Sequence, residues 1–526
     1  MTSRRSIFKT LYDIFPILNR PLALCAAISS LAVYFMYRNA AVSLSLLALF
    51  SILSVLICVL TKNRKIIIIS ILFLAVCAST VNEFARKNDL KALDGDYLSA
   101  DFVAIEDSKE SGIARRVTAY CRNSSEIPEN TKFELYYFFK TDIKCGNCFN
   151  ALVRLTELED NEYKADKVGR SVYMNCKIQK ITEMYKNEPF FTLIGKARTY
   201  IKQTINNNFS ADDASLLIAL NTGDRGELDD DFYENVRTCG VSHILVVSGL
   251  HISIILGAFF FLVEKFFYNK YLKALFSLFI IFMLCAVCGF TLSVLRAGCM
   301  FLFSAVSPIF MRKNDSFNSL GSAVVLLIFI SPLSILSVGF WLSVSATAAV
   351  VWIAPFYGKL IIDSLKVKSK VLSALISVFT VSLAAMILTA PISLAVFGYV
   401  SLLSPITFLL LTYPVTFALA FNCAGLLFSL AGNLSFISLP FFFVSGLCAK
   451  YIRFVIDYLG TMKFLCVKSG VFSFIFFIVL AVVLIVAMYQ HKFYKKLLRQ
   501  NFIKGVQAHA NSNGKRVKRN ASTRRG

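Results

Sequence analysis

The chain has 526 residues, of which 56% are hydrophobic, and its mean hydropathy is +0.64. These values exclude an ordinary soluble protein, because several apolar runs approach or exceed the roughly 18–20 residues that span a bilayer as a helix. The formal net charge is +23, and residues 490–526 hold eleven Lys or Arg residues and no acid. Such a tail favours a cytoplasmic position next to anionic lipid, and by itself it is weak evidence for nucleic-acid binding.

Three apolar runs, near residues 21–37, 40–60 and 65–81, predict three N-terminal membrane spans. Basic residues precede the first run and separate the second from the third, so the positive-inside rule places the N-terminus and this loop in the cytoplasm. Residue 82 onward then lies outside. The N-terminal segment lacks the apolar core and small-residue cleavage site of a signal peptide, so we expect an uncleaved anchor.

Residues 82–189 are expected to form a soluble extracytoplasmic domain. Five runs of alternating polarity, near residues 97–105, 114–121, 132–139, 150–158 and 171–178, predict five strands and favour a small all-β, OB-like barrel. A barrel of this kind can bind single-stranded DNA through aromatic side chains and a basic groove. The aromatic run from Tyr136 to Phe139 is a candidate for this role, although aromatic strand residues are more often core residues.

The four cysteines of this domain are Cys121, Cys145, Cys148 and Cys176. The Cys145-x-x-Cys148 pair is half of a zinc site, but the domain contains no histidine, and an oxidising exterior favours a disulfide over zinc. We select Cys121 and Cys176 as the disulfide candidate, because both lie at ends of predicted strands, where a bridge would staple a small barrel. Neither a metal nor a cofactor is expected.

Helical periodicity of an amphipathic kind follows over residues 190–238. Within it, Ser210 and Asp213 are typical of a helix N-cap and a first-turn acid. Further on, two glycines bracket Asp224 and Arg225 in a predicted turn. This charge pair is either a surface ion pair, worth under about 1 kcal/mol, or a functional element at the membrane edge.

The chain becomes apolar from Val241, interrupted by His243, Ser248, Gly249 and His251. Ionisable groups inside a span cost about 2.5–3.5 kcal/mol each when charged at the bilayer centre, so they tend to mark function. On one straight helix these polar groups would spread over more than one face. Either many helices surround this span, or it breaks near Ser248-Gly249 and faces protein or water, and we favour the break.

The remaining sequence predicts further spans, for a total of about twelve with both termini in the cytoplasm. Arg296 lies inside one of them and needs an acid, a carbonyl cluster or a phosphate as a partner. Small and polar residues in 331–346 favour close helix packing or a functional face. The prolines of 388–414 indicate a kinked or re-entrant segment, and the basic, amphipathic residues 450–468 indicate contact with a membrane surface or a partner.

The segments GDR (223–225) and GVSHILVVSGLH (240–251) closely resemble the signature of the ComEC family of competence proteins. Further blocks resemble the same family: Arg296-Ala297 with Met300, GF-x-LS-x-SA at 339–346, and the proline-containing block 388–414. The last block departs from the family by lacking an Asn in PITFLLLTYP. The resemblance covers roughly residues 20–490 and implies an OB-like insert and a channel that carries single-stranded DNA across the bacterial cytoplasmic membrane in natural transformation.

The resemblance, together with the need to compensate the phosphate charge of the strand, indicates a DNA path lined by Asp224, Arg225, His243, Ser248, Gly249, His251 and Arg296. The implied partners are single-stranded DNA, membrane lipids, a DNA receptor, a separate nuclease and a cytoplasmic ATP-driven motor, and a homo-oligomer is compatible. Many such chains continue into a metallo-β-lactamase-like domain with a His-x-His-x-Asp-His run. The four histidines here form no such run, so we expect no nuclease and no other enzyme activity.

Two alternatives stay open. An intramembrane serine hydrolase would use Ser248 with His243 or His251 and Asp224, but VVSGLH lacks the G-x-S-x-G elbow. A small-solute transporter or a membrane assembly scaffold would be favoured by an internal inverted repeat, and we find none in the sequence. The predicted domains are three N-terminal spans (1–81), the OB-like domain (82–189), the channel domain (190–490) and the basic cytoplasmic tail (491–526).

Overall fold

The computed structural model describes residues 21–38, 64–111, 114–160, 164–185, 187–245, 252, 254–257, 265, 269–307, 309, 315–430, 436–491 and 493–494. They form a β-barrel close to the N-terminus and a bundle of apolar helices in the rest of the chain. The second predicted span, near residues 40–60, and most of the basic tail lie outside the described residues.

Two helices precede the barrel, α1 (Pro21–Arg38) and α2 (Arg64–Lys91). The second continues past the predicted end of the third span, because the polar segment that follows residue 81 also favours a helix and contains an i,i+3 pair between Glu83 and Arg86. Its Leu90 is fully buried in the barrel core. The helix therefore runs from the apolar N-terminal segment into the core of the barrel.

The five predicted strands are confirmed, and a short sixth strand joins them: β1 (Tyr97–Ala104), β2 (Lys109–Ser111), β3 (Ala114–Asn123), β4 (Lys132–Tyr137), β5 (Cys148–Glu157) and β6 (Met174–Tyr185). The strand order is β1-β5-β6-β4-β3-β2, and β3 also pairs with β1, so the five long strands close into a barrel. The β4–β6 pair is parallel and the other pairs are antiparallel.

Alternate strand residues fill the barrel, as the period-2 pattern requires. Among the described residues, the largest fully buried side chains are concentrated there, including Phe102, Phe133, Phe149 and Tyr137. Tyr137 thus belongs to the core, and its hydroxyl donates to the Thr141 carbonyl at 3.0 Å. A short helix, α3 (Lys164–Gly169), separates β5 from β6.

Four helices follow the barrel: α4 (Pro189–Asn208), α5 (Ala211–Thr222), α6 (Asp230–Thr238) and α7 (Ser242–Leu245). The predicted N-cap is confirmed, because Ser210 Oγ accepts from the Asp213 amide and begins α5. All residues of α5 from Asp213 to Thr222 are buried. The predicted helical character of this segment is confirmed, and α5 lies within a core shared with the apolar bundle.

The bundle consists of α8 (Lys270–Val287), α9 (Leu292–Val306), α10 (Ser316–Ile330), α11 (Val338–Ala348), α12 (Ala354–Ser364), α13 (Lys370–Phe397), α14 (Ser404–Ser429), α15 (Ser438–Gly460) and α16 (Val471–His491). A π-helical turn at Ala349–Ile353 joins α11 and α12 into one continuous helix. Such turns are rare in proteins, and those that occur are often found at functional sites. Among the described residues, six helices are long and apolar enough to cross a membrane. The total of about twelve spans stays a prediction.

The proline-containing block 388–414 forms the end of one long helix, a tight turn and the start of another. Pro391 lies inside α13, which ends at Gly398 with φ +77°. A short strand, β7 (Tyr399–Ser401), then pairs with β8 (Cys466–Lys468) before α14 begins. The block is therefore a connection between two helices that both contain a proline, and the turn is held by a second chain segment.

The barrel packs against the small-residue block that precedes α11, residues 331–337. Leu333 is fully buried in the barrel core. Asp166 of α3 accepts hydrogen bonds from Ser337 Oγ at 2.9 Å and from the Val338 amide at 3.1 Å, so a carboxylate of the barrel caps the N-terminus of α11. Helix packing alone had been the alternative interpretation of this block. The structure shows that its first half is the contact surface for the barrel.

The basic residues of 450–468 find partners within the chain. Arg453 donates to the Asp212 carbonyl at 2.8 Å, and Lys463 Nζ lies 2.7 Å from Glu234 Oε1. Asp457 accepts from Asn235 Nδ2 at 3.1 Å. The charges that had indicated a membrane surface or an external partner are therefore matched, at least in part, by α5 and α6.

Candidate functional site

The turn that contains Asp224 is shaped by the end of α5. Gly223 adopts the left-handed conformation (φ 78°) that commonly ends a helix. The Asp224 amide then donates to Thr222 Oγ1, and Asp224 Oδ1 accepts from the Gly226 amide, both at 3.2 Å. These hydrogen bonds hold Asp224 in the turn, and its carboxylate has further partners.

Those partners are two lysines from separate elements. Lys202 Nζ of α4 lies 2.5 Å from Asp224 Oδ2, and Lys109 Nζ of the barrel strand β2 lies 3.1 Å from Oδ1. Burial would raise the pKa of Asp224, but the hydrogen bond from Lys202 and the charges of both lysines hold that pKa well below its usual range. Asp224 is thus an ionised bridge between the barrel and the helical part.

Arg225 points to a different neighbour. Its Nη1 donates to the Tyr233 hydroxyl at 3.0 Å, and its guanidinium carbon lies 5.8 Å from the centroid of the same ring. The predicted Asp224–Arg225 charge pair is therefore wrong as a pair, because each side chain has its own partners. Within the described part of the chain, no carboxylate pairs with Arg225, and its charge is available to an anion.

Gly240, the first residue of the GVSHILVVSGLH segment, marks a close approach. It has φ +70°, and a Cβ at this position would lie 2.8 Å from Ser401 Cβ and 2.9 Å from Ser404 Cβ. Ser401 Oγ also donates to the Thr238 carbonyl at 2.6 Å. Two blocks that the sequence analysis identified separately, 240–251 and 388–414, thus pack directly against each other.

His243 lies on the short helix α7, and its side chain is exposed. Its ring stacks on Phe408 of α14, with centroids 5.8 Å apart and an interplanar angle of 30°. Three other residues of the predicted path, Ser248, Gly249 and His251, lie outside the described residues, and so does the proposed helix break. That part of the site stays a prediction.

Arg296 is buried inside α9, with 6% of the residue exposed. It donates through Nη1 to Ser343 Oγ of α11, while its Nε has no hydrogen-bond partner in the described part of the structure. The sequence had required an acid, carbonyls or a phosphate as its partner. The structure supplies a hydroxyl, and among the described residues it supplies no carboxylate, so one donor of this cation is unsatisfied.

Asn422 of α14 is a buried polar residue that the sequence analysis missed. The residue is fully buried, and neither of its amide atoms has a hydrogen-bond partner among the described residues. A buried amide without partners costs about 1–3 kcal/mol. An asparagine inside an apolar run is the signal that could have identified it.

The outer surface of the barrel presents a row of basic and aromatic residues. Successive cross-strand pairs join Lys109, Arg116, Tyr136, Lys177, Arg154 and Tyr97, which we call the basic–aromatic row. Phe138 is 58% exposed beside it, with Lys177 Nζ 4.7 Å from its ring centroid. Tyr97 is 57% exposed, with the Arg154 guanidinium carbon 5.5 Å away. The row ends at Lys109, which contacts Asp224.

The two cysteines of the disulfide candidate, Cys121 and Cys176, are both buried in the barrel and are free thiols in the structure. Burial, and then the nearness of Cys121, raises the pKa of Cys176 well above its usual value. The pairing of Cys121 and Cys176 stays a prediction. Cys145 has other contacts, because its Sγ donates to the Ile105 and Phe191 carbonyls, each at 3.2 Å.

The fold and the site define a class: a mostly helical protein with a β-barrel and, among the described residues, six helices that are long and apolar enough to cross a membrane. A sequence profile of the family described as Competence protein matches residues 220–493, which is more than half of the chain. The chain belongs to this competence protein family. The matched residues include the Asp224 turn, Gly240, His243 and Arg296.

Two curated relatives are similar over shorter stretches. Recombination protein 2 of Haemophilus influenzae is 33% identical over 138 residues, which are 25% of this chain and 18% of that protein. ComE operon protein 3 of Bacillus subtilis is 24% identical over 191 residues, 36% of this chain and 24% of that protein. The similarity thus spans less than a quarter of either relative's length. No solved structure matches the chain.

Proposed function

We propose that this protein is the membrane channel that carries single-stranded DNA across the bacterial cytoplasmic membrane during natural transformation. The observation that carries the proposal is the competence-family match over residues 220–493. The names of the two relatives, which refer to recombination and to the ComE operon, are compatible with it. The function is a transport function, and no enzyme activity is proposed.

The charge distribution of the helical part supports passage of a polyanion. After Glu234 the sequence contains four acids, namely Glu264, Asp315, Asp363 and Asp457. A strand carries one negative charge per nucleotide, and acids along its path would repel it. Arg296, which lacks a carboxylate partner in the described residues, His243 and Arg225 are the groups that we assign to the strand, with Asp224, Ser248, Gly249 and His251 completing the path.

The barrel supports a receiving role on the outer side of the membrane. We assign it an OB-like fold, because its five long strands close in a 1-2-3-5-4 order with the third and fifth parallel. Oligonucleotides bind OB folds on the face of strands 2 and 3, which here are β3 and β4. These strands carry Arg116 and Tyr136 of the basic–aromatic row. Base stacking on such aromatics is worth about 1–3 kcal/mol per base.

The proposal includes partners that act in sequence. A DNA receptor and a separate nuclease would deliver one strand to the barrel, and a cytoplasmic ATP-driven motor would draw it inward. Membrane lipids surround the bundle, and both termini lie in the cytoplasm. Because the described helices carry no ATP-binding or nuclease motif that we recognise, energy and strand degradation are assigned to these partners.

Deletion and complementation test the function. Cells that lack the gene should bind fluorescent duplex DNA at their surface but should not protect any of it from added nuclease, and the intact gene should restore protection. Equal protection with and without the gene would contradict the proposal. Binding of DNA at the surface, measured in the same cells, distinguishes a transport defect from a loss of binding.

A further inference from the structure

The seam between the barrel and the helical part contains a carboxylate held between two ammonium groups. Asp224 offers one oxygen to Lys109 of the barrel and the other to Lys202 of α4. The side chains are 17%, 38% and 27% exposed, respectively, so solvent reaches all three without surrounding them. The three side chains are therefore exposed enough for another anion to replace the carboxylate, and buried enough for their charges to interact strongly.

Asp224 is one carboxylate shared by two ammonium groups. A second acid, Glu227, lies 3.8 Å from Lys202 with its side chain 46% exposed, so the two lysines and two acids carry no net charge and a phosphate would have to take the place of a carboxylate. A phosphodiester group has two non-bridging oxygens and one negative charge. It can thus accept from both lysines as the carboxylate does, through charge-assisted hydrogen bonds.

The position of Lys109 gives this cluster a direction. Lys109 pairs with Arg116 across the β2–β3 ladder, and Arg116 pairs with Tyr136 on β4. A strand that lies along the basic–aromatic row therefore reaches Lys109 on β2, where the row ends. Lys202 is the next cation, on a helix that belongs to the other side of the seam.

We propose that Lys109 and Lys202 form a phosphate-binding site for the incoming strand, and that the Asp224 carboxylate occupies this site until a phosphate displaces it. The site passes the strand from the barrel to the helical part. The identity of the anion as a nucleic-acid phosphate rests on the proposed function. Occupation by Asp224 keeps the seam closed in the absence of DNA, because it ties the barrel to α4.

Oligonucleotide binding to the purified full-length protein in nanodiscs tests the site without transport. The probe is a fluorescein-labelled oligo-thymidylate of 20 nucleotides, and protein is titrated into it at several salt concentrations. Asp224→Asn removes the competing anion and should strengthen binding roughly 3- to 10-fold. Lys109→Gln and Lys202→Gln should each weaken it by a similar factor, and each should reduce the slope of log K against log salt by about 0.7, as the loss of one phosphate contact does.

Glu234 and Lys463 provide matched controls, because they form a single Lys–carboxylate pair at 2.7 Å that is far more exposed. Glu234→Gln and Lys463→Gln should leave the affinity and the salt slope unchanged. A purely structural latch predicts that Asp224→Asn and the lysine variants change binding in the same direction, and this result would overturn the proposal. Asp224→Ser is a second variant that lacks the carboxylate. Its affinity, together with a thermal unfolding curve for each variant, shows that a change of affinity comes from folded protein.

Competition with inorganic tripolyphosphate tests whether the site recognises the phosphate group itself. It should displace the probe from wild type and Asp224→Asn, but only weakly from Lys109→Gln, if the shared chemistry is phosphate. Unchanged competition in the lysine variants contradicts the site. Normal binding with the expected signs but no DNA uptake in cells would contradict the transport function and leave the phosphate site standing.

Discussion

Gly240→Ala should destabilise the protein through two separate effects. An L-residue in the left-handed region costs about 1–2 kcal/mol, and Gly240 has φ +70°. The added Cβ would also lie 2.8 Å from Ser401 Cβ and 2.9 Å from Ser404 Cβ. Such overpacking costs about 1–3 kcal/mol. Together these terms predict a loss of about 2–5 kcal/mol in the free energy of unfolding.

Gly398→Ala is the matched control for this substitution. Gly398 has φ +77°, but no heavy atom lies within 4 Å of its ideal Cβ. Its replacement should therefore cost only the backbone term, about 1–2 kcal/mol. The assay is unfolding of purified protein in mixed micelles by titration with sodium dodecyl sulfate, monitored by tryptophan fluorescence. A Gly240→Ala variant that is as stable as Gly398→Ala would refute the close approach of the two blocks.

Three further predictions concern topology, the barrel and the central span. A cysteine at position 161 should react with an impermeant maleimide from outside and one at position 366 only after the membrane is opened, and the reverse at either site would overturn the orientation. In denaturant without reductant, Cys121 and Cys176 should resist alkylation in protein from membranes, because a disulfide leaves neither sulfur as a thiol; in the chain-entropy account the bridge stabilises the barrel by about 4 kcal/mol. Alkylation of both would contradict the pairing. Gly249→Leu should block DNA uptake at normal protein abundance, since it fills the predicted break, and normal uptake would exclude a break that DNA requires.

Local patterns predicted the elements whose stability is local. Period-2 alternation identified the five long strands, because one face of each strand fills the barrel. Ser210 and Asp213 identified the start of α5, because a cap depends only on neighbouring residues. The short strand β2 was missed, since three residues carry too little pattern for a prediction.

Partners from distant parts of the chain could not be predicted. The sequence placed Asp224 beside Arg225, and adjacency suggested a pair, yet the carboxylate binds Lys109 and Lys202 from two other elements. The burial of α5 was also missed, because its hydrophobic neighbours come from α14 and α15. In the same way, Arg453 and Lys463 pair with acids of α5 and α6, namely Asp212 and Glu234. Tertiary packing decides each of these cases.

Arg296 shows the most useful combination of sequence and structure. The sequence identified a cation inside an apolar helix and required a partner for it. The structure shows which donors of Arg296 have partners. Its Nη1 donates to Ser343 Oγ, and its Nε has no acceptor among the described residues. A buried cation of this kind is costly in a closed, empty bundle. A DNA strand that passes close to Arg296 would supply phosphate oxygens as acceptors and so lower this cost.

Site-specific photocross-linking during uptake tests the central claim, passage of the strand through the helical bundle, most directly. A photoreactive amino acid would replace Phe408, which stacks on His243, and Ser343, which binds Arg296. The control position is Phe472 on α16, which is 85% exposed. We predict cross-links between labelled single strands and positions 408 and 343, and none at 472. Internalised DNA with cross-links at 472 alone, or at none of the three positions, would contradict the account.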